Sequence, residues 1–209
     1  WESFMETQSP SVNDQVTTPF GGSVFGEVLH RMYRLIIDSA GPRPSGWRKL
    51  GAFVVSPVAG VNQFLFGERY HGPTLLPPSW MGEVHFGMVI GGSVTDLRTG
   101  ARATDVGPWT NVAAHVNYGV PGTPDLRLRR PFDHFDARIG YSFTGESQPT
   151  ASMLIRGVLL GDTIDSGAAS VGLWGLFASY DVISVPLFKA TGFGVGPGVS
   201  LMKRWTPFE

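Results

Sequence analysis

His85, His115 and Asn117 are the side chains of this sequence best suited to chemistry, because imidazole moves protons near neutral pH and an amide can orient it. They share one parity of adjacent segments of alternating polarity, and Ser142 would complete the residue types of a Ser/His/Asn acyl hydrolase. No nucleophile motif accompanies them, so no enzyme activity is expected. Glu83, His85, His115 and Asp136 carry imidazole and carboxylate groups that suit zinc or manganese, but their spacing is scattered. No metal or other cofactor is expected. Arg127-Leu128-Arg129-Arg130 is a basic run between Pro124 and Pro131, which suits a solvated loop or lipopolysaccharide phosphates better than nucleic acid. Gly192, Gly194, Gly196 and Gly198 alternate without a following helix and make no dinucleotide fingerprint. Glu68-Arg69-Tyr70-His71 lies in the proline-rich stretch from Gly67 to Trp80 and reads as a solvated turn with an ion pair.

Period-two alternation positions the polar residues. Gly82 to Ser93, Trp109 to Gly119 and Phe135 to Thr144 each read as a strand, with apolar side chains on one parity. The other parity carries Glu83, His85, Asn111, His115, Asn117, Asp136 and Arg138. Ser152 to Gly161 reads as a fourth strand whose Arg156 shares parity with Leu154 and Val158. Val171 to Val185 is apolar on both parities over its first half, as a strand between lipid and a helical hairpin would be. In the last strand, Phe193 to Trp205, glycines leave room for a bulky element. The connection Asp96 to Gly107 is turn-rich.

Ahead of the strands, Ser11 to Asp38 reads as an amphipathic helix. Thr17-Thr18-Pro19 and Gly21-Gly22-Ser23 offer caps and turn glycines, after which Phe25, Val28, Leu29, Met32, Leu35 and Ile36 form one stripe. Glu27, His30, Arg31, Arg34 and Asp38 occupy the other face, toward water, headgroups or a polar interior. Trp47 to Phe66 reads as a second helix broken near Pro57. The two are expected to pack on each other and on the sheet; the sharper alternative is a plug or an interfacial membrane anchor.

Composition narrows the class. The 209 residues suit one domain, residues 1–209, with a signature segment and hairpin over 1–80 and strands over 81–209. A net charge of -1 gives no bulk attraction to nucleic acid or to an anionic membrane. With no cysteine there are no disulfides or thiolate metal sites. Only 16% of residues are charged, while 28 are glycine and 14 phenylalanine, a balance that fits transmembrane barrels. The chain opens at Trp1 without a leader, so an export signal is expected to have been removed or left out.

A soluble barrel would bury the apolar parity and a membrane barrel would wet the polar one. Burying the polar set dry would cost roughly 1–3 kcal/mol for each unpaired group, which a water-filled lumen avoids. Trp80, Trp109, Tyr118, Tyr141, Trp174, Tyr180 and Trp205 lie near strand ends or on the apolar parity, as lipid-interface girdles do. Trp1-Glu2-Ser3, Pro10-Ser11-x-Asn13-Asp14-Gln15-x-Thr17-Thr18-Pro19, Gly21-Gly22 and Gly26-Glu27 resemble the signature of a family of bacterial outer-membrane proteins carrying a domain of unknown function. The resemblance reaches about Gly67 through Trp47-Arg48-x-Leu50 and Ser56-Pro57. It implies an outer-membrane β-barrel and brings no catalytic residues.

The expected fold is therefore mainly β: an antiparallel transmembrane barrel of about eight or more strands, with the αα-hairpin in the lumen or at the periplasmic rim. About six strands can be counted here, so closure is expected from hidden strands, from chain beyond Glu209 or from other chains. The expected role is structural or passive transport in the outer membrane of a Gram-negative-type bacterium, as a porin-like wall. Expected partners are membrane lipids, lipopolysaccharide, and a homo-oligomer or larger envelope complex, without nucleic acid. The alternatives are a lipid-active acyl hydrolase and a lipid-binding barrel, soluble or homo-oligomeric.

Overall fold

The structure is a computed structural model that describes residues 12–39, 44–67, 79–90, 94–95, 102–103, 108–124, 126–144, 149–165, 170–185 and 188–203. Three helices come first: α1 (Val12–Asp38), α2 (Gly46–Val55) and α3 (Pro57–Phe66). The strands follow as β1 (Trp80–Ile90), β2 (Val94–Thr95), β3 (Arg102–Ala103), β4 (Pro108–Tyr118), β5 (Phe135–Thr144), β6 (Thr150–Asp165), β7 (Ser170–Val185) and β8 (Phe188–Lys203). Six of them form one antiparallel sheet in the order β1-β4-β5-β6-β7-β8, while β2 and β3 pair as a separate ribbon within the turn-rich connection. Apart from that ribbon, each strand pairs with its successor in the chain.

The sheet is open. β1 and β8 are its edges, so the closed barrel expected from the sequence is not formed by the described strands. What stands is a mainly β fold of one six-stranded antiparallel sheet with three helices.

Alternation sorts the residues onto two faces, and register aligns them across strands. One row runs Glu83–His115–Arg138–Leu154–Asp181–Gly192, and the next runs Met81–Asn117–Asp136–Arg156–Ser179–Gly194. The opposite face carries Val116, Ala137, Ile155 and Tyr180. α1 lies on this apolar face, where its Val24, Val28 and Leu35 join Tyr118, Phe135, Ile155 and Ala178 in the main core. Gly21 lets the helix backbone approach closely: a Cβ there would lie 2.2 Å from the Tyr180 ring. Nearby, Phe20 stacks on Phe193 with centroids 5.5 Å apart.

Three expectations change here. α1 starts at Val12 and runs through Pro19, so the residues read as caps lie inside it. Its buried side is apolar, so it covers the apolar face and not the polar side where a lumen plug would sit. The β8 glycines are on the polar parity, away from α1, and the close approach is made by the glycine of the helix instead.

The second helix is broken at Ser56, as Pro57 dictates: proline is favoured in the first turn of α3 and cannot continue α2. Tyr33, Ile36 and Ile37 on a second side of α1 meet Ala52 of α2 and Ala59 of α3. The large apolar residues of this pair, Leu50, Phe53, Val54, Val61, Phe64 and Leu65, are exposed, contrary to the expected packing on the sheet. Small residues make the contact with α1 and leave the large ones pointing away.

β7 is apolar on both parities for a reason other than an internal helix. Trp174 faces outward on the apolar side, while Val171 is buried on the polar parity beside Gly122 of the β4–β5 connection. β6 has mixed parity as well, with Val158 fully buried on the face that carries Arg156. The connection is tied to β6 by Val158 N–H donating to His134 O and Phe132 N–H donating to Val158 O.

Candidate functional site

The polar face of β1, β4 and β5 gathers acidic and basic side chains from neighbouring strands. Glu83 lies opposite His115 and His115 opposite Arg138, with Asp136 one row away. The side chains form a chain of alternating bases and acids. His85 Nε2 is 3.3 Å from Glu83 Oε2, and Glu83 Oε2 is 4.0 Å from His115 Nδ1. His115 Nε2 then bonds Asp136 Oδ2, and Arg138 Nε donates to Asp136 Oδ1 at 3.1 Å. Glu83 thus lies between two imidazoles, and Asp136 between the His115 ring and the Arg138 guanidinium.

A depression of about 630 Å³ opens on this face and draws its lining from β4 through β8. His115, Asn117, Asp136 and Arg138 line it, whereas Glu83, His85 and Asn111 stand outside it on the same face. Sequence reasoning assigned no role here to Arg156, Ser179 or His134, all of which also line it. Register is the signal that finds the first two, since Asp136, Arg156 and Ser179 are direct cross-strand partners. Arg156 makes no ion pair among the described residues, and Asn117 Oδ1 is buried without a hydrogen bond. The β8 wall is glycine at Gly194, Gly196 and Gly198, which widens the depression.

His134 is buried at its edge, with Nδ1 2.9 Å from the carbonyl of Gly119, so the neutral ring donates Nδ1–H there. Burial lowers its pKa from the ordinary 6.5, against the smaller opposing effects of Gly119 and Asp136. The unfolded chain then binds more protons than the folded one between the two values. The stabilisation is full above about 6.5 and is lost as pH falls through that window. His134→Asn, which keeps a donor, is expected to flatten the acid limb of a plot of urea midpoint against pH between about 7 and 5. An unchanged acid limb would remove His134 as its source.

Among the described residues, Ser142 is not brought to His115. Ser142 pairs with Asn111 and Thr150, several rows from His115, and no described hydroxyl is hydrogen-bonded to that ring. Among the described residues no group of three His, Asp or Glu is placed to hold a metal ion. Of the aromatic residues expected at a lipid interface, Trp80, Tyr141 and Trp174 are exposed on the apolar parity. Tyr118 and Tyr180 depart from that expectation because α1 covers them, and Tyr118 stacks on Phe135 with centroids 4.8 Å apart. Trp109 takes a register position on the polar parity, and Trp205 and the Glu68–His71 cluster lie outside the described residues.

The fold and site define a β-sheet protein with one polar, pocketed face that carries a charge network and one apolar face. Its N-terminal residues 1–58 are similar to a domain of unknown function, DUF3943. The matched span takes in α1 and α2 and ends at the start of α3, so the whole sheet lies beyond it. No curated protein and no solved structure shows significant similarity to the chain.

Proposed function

We propose that the chain forms part of the wall of an outer-membrane β-barrel, with the polar face toward a wet lumen and a structural or passive-passage role. The observation that carries this reading is the course of the exposed apolar belt. The belt comprises Val84, Phe86 and Met88 on β1, then Ile139, Tyr141 and Phe143 on β5. It continues with Leu160 on β6, Trp174 on β7, and Val195, Val199 and Leu201 on β8.

This belt crosses the register rows diagonally. The row that starts at Phe86 passes through Val112, Tyr141, Ala151 and Ser184 and ends at the charged Lys189. The apolar positions of β8 lie further along the strand, level with Trp174 of β7. Strands of a membrane barrel tilt by about 35–45°, so a belt parallel to the membrane must shift along each successive strand. A face meant for a soluble core would have no reason to be exposed on this scale.

The six strands fall short of the about eight that the smallest membrane barrels use. In this reading the free edges of β1 and β8 take further strands, from the same polypeptide or another copy. Lipid covers the belt where α1 does not, and the location is the outer membrane of a Gram-negative-type bacterium, with lipopolysaccharide as a neighbour. The test is fractionation of the expressed precursor followed by gel mobility with and without boiling. Outer-membrane protein whose mobility changes only on heating is the expected result. Protein recovered without detergent from the soluble fraction, with one mobility, would overturn the reading.

A further inference from the structure

The α2–α3 pair is built inside out. Its contact with α1 is made by Ala52 and Ala59, while Trp47 is 83% exposed, Val54 72%, Val58 73% and Phe64 86%. In α2, Trp47, Leu50 and Val54 recur at i, i+3 and i+7, and in α3 Val58, Val61 and Leu65 do the same, so each helix has one outward apolar side. The two helices are held together by the Phe53 ring against Gly60, where a Cβ would lie 2.4 Å from it. From Gly46 to Phe66 there is no acidic residue, and the only charged side chains, Arg48 and Lys49, are exposed on α2 to either side of Ala52. Water is a poor covering for such a surface, and a burial partner is required.

We infer that the α2–α3 hairpin is an interfacial membrane anchor, laying its outward side into the headgroup region of an anionic phospholipid bilayer. Three observations select the bilayer over a protein partner. The only charges of the hairpin are the exposed Arg48 and Lys49, both basic and complementary to lipid phosphates. Trp47 opens α2 beside them, and tryptophan favours the headgroup level. The hairpin packs on α1, which itself lies on the apolar face of the sheet, so it is on the side that the barrel reading assigns to lipid. In that last respect the inference rests on the proposed barrel. It lies in the interface and does not span: each helix has 10 residues, about 15 Å long, against a hydrocarbon core of about 30 Å.

The absence of cysteine makes the test direct. Phe64→Cys in the full chain is labelled with an environment-sensitive NBD dye. The protein is then reconstituted in phosphatidylcholine vesicles containing phosphatidylglycerol. Strong quenching by lipids carrying a nitroxide near the headgroup is expected, with weaker quenching by lipids labelled at the chain end. Reversing both charges, Arg48→Glu with Lys49→Glu, is expected to reduce the headgroup quenching several-fold while the heat-dependent mobility stays unchanged. A dye as open to aqueous iodide as in the lipid-free chain would overturn the anchor. So would a dye shielded from both iodide and lipid nitroxides, which would mean that protein, such as a second copy, covers the hairpin. Loss of the heat-dependent shift with lipid quenching intact would instead count against the barrel and leave the anchor standing.

Discussion

Arg31→Ala is expected to lower the unfolding free energy by about 3 kcal/mol, the cost typical of removing one partner from a largely buried ion pair. The Arg31 side chain is 13% exposed and meets three acceptors, one within α1 and two in the β4–β5 connection, to which it ties the helix. Nε donates to Glu27 Oε1 at 2.8 Å, one terminal nitrogen to Asp133 Oδ1 at 2.8 Å, and the other to the carbonyl of Pro131 at 2.6 Å. The guanidinium carbon also lies 6.0 Å from the centre of the Tyr118 ring. Burial alone would lower the pKa of Arg31, but the carboxylates of Glu27 and Asp133 outweigh it and raise the net value, so the charge is held. Asp133 meanwhile accepts the backbone N–H groups of Arg129 and Arg130, which fixes the turn that presents it. Loss of Arg31 leaves that carboxylate with fewer donors and the helix without its polar tie to the sheet. Urea unfolding in detergent at constant slope measures the change, and Arg31→Lys should recover part of it, since a point charge cannot serve all three acceptors. A change of less than about 0.5 kcal/mol, the size of ordinary surface effects, would mean that this contact does not hold α1 in place.

Gly119→Val is expected to be comparably damaging, by about 2–5 kcal/mol, and to reach the pocket as well as the fold. Gly119 follows β4 with φ 70°, a conformation that costs an L side chain about 1–2 kcal/mol. A Cβ there would also lie 2.1 Å from the carbonyl oxygen of Asp133, and overpacking of this kind adds about 1–3 kcal/mol. The backbone cannot shift freely, because Gly119 N–H donates to Ser79 O and its carbonyl accepts from His134. Displacing it moves His134 at the edge of the depression and the connection that covers Val171. Thermal or urea unfolding reads the loss, and Gly122→Ala is the graded control. Gly122 also has positive φ, at 84°, but the atoms nearest a Cβ there belong to the Val171 side chain, the closest at 2.6 Å, and not to backbone. If Gly119→Val cost no more than Gly122→Ala, the close approach of the two backbone segments would not be limiting.

The strands were legible because a half-exposed strand writes its pleat into alternating polarity. Phe135–Thr144 has the same bounds in sequence and structure, and the polar parity of Glu83, His115, Asp136 and Arg138 falls on one face. The break at Pro57 was equally local, since a missing N–H and a fixed φ act wherever the residue stands. Alternation alone left open what covers each face, and this is where tertiary structure decided. Val171 is buried on the polar parity because the β4–β5 connection approaches it at Gly122, a contact that alternation does not reveal. Tyr118 and Tyr180 carry the composition of an interface girdle, yet α1 lies over them because Val24, Val28 and Leu35 require an apolar partner. The hairpin shows the same division. Periodicity identifies the outward sides of α2 and α3, whereas only the fit of Ala52 and Ala59 against α1 determines that the large residues are the ones left outside. Local backbone chemistry and side-chain period are properties of neighbouring residues and can be read along the chain. Which apolar surface meets which depends on competition among all of them at once, and only the folded arrangement resolves it.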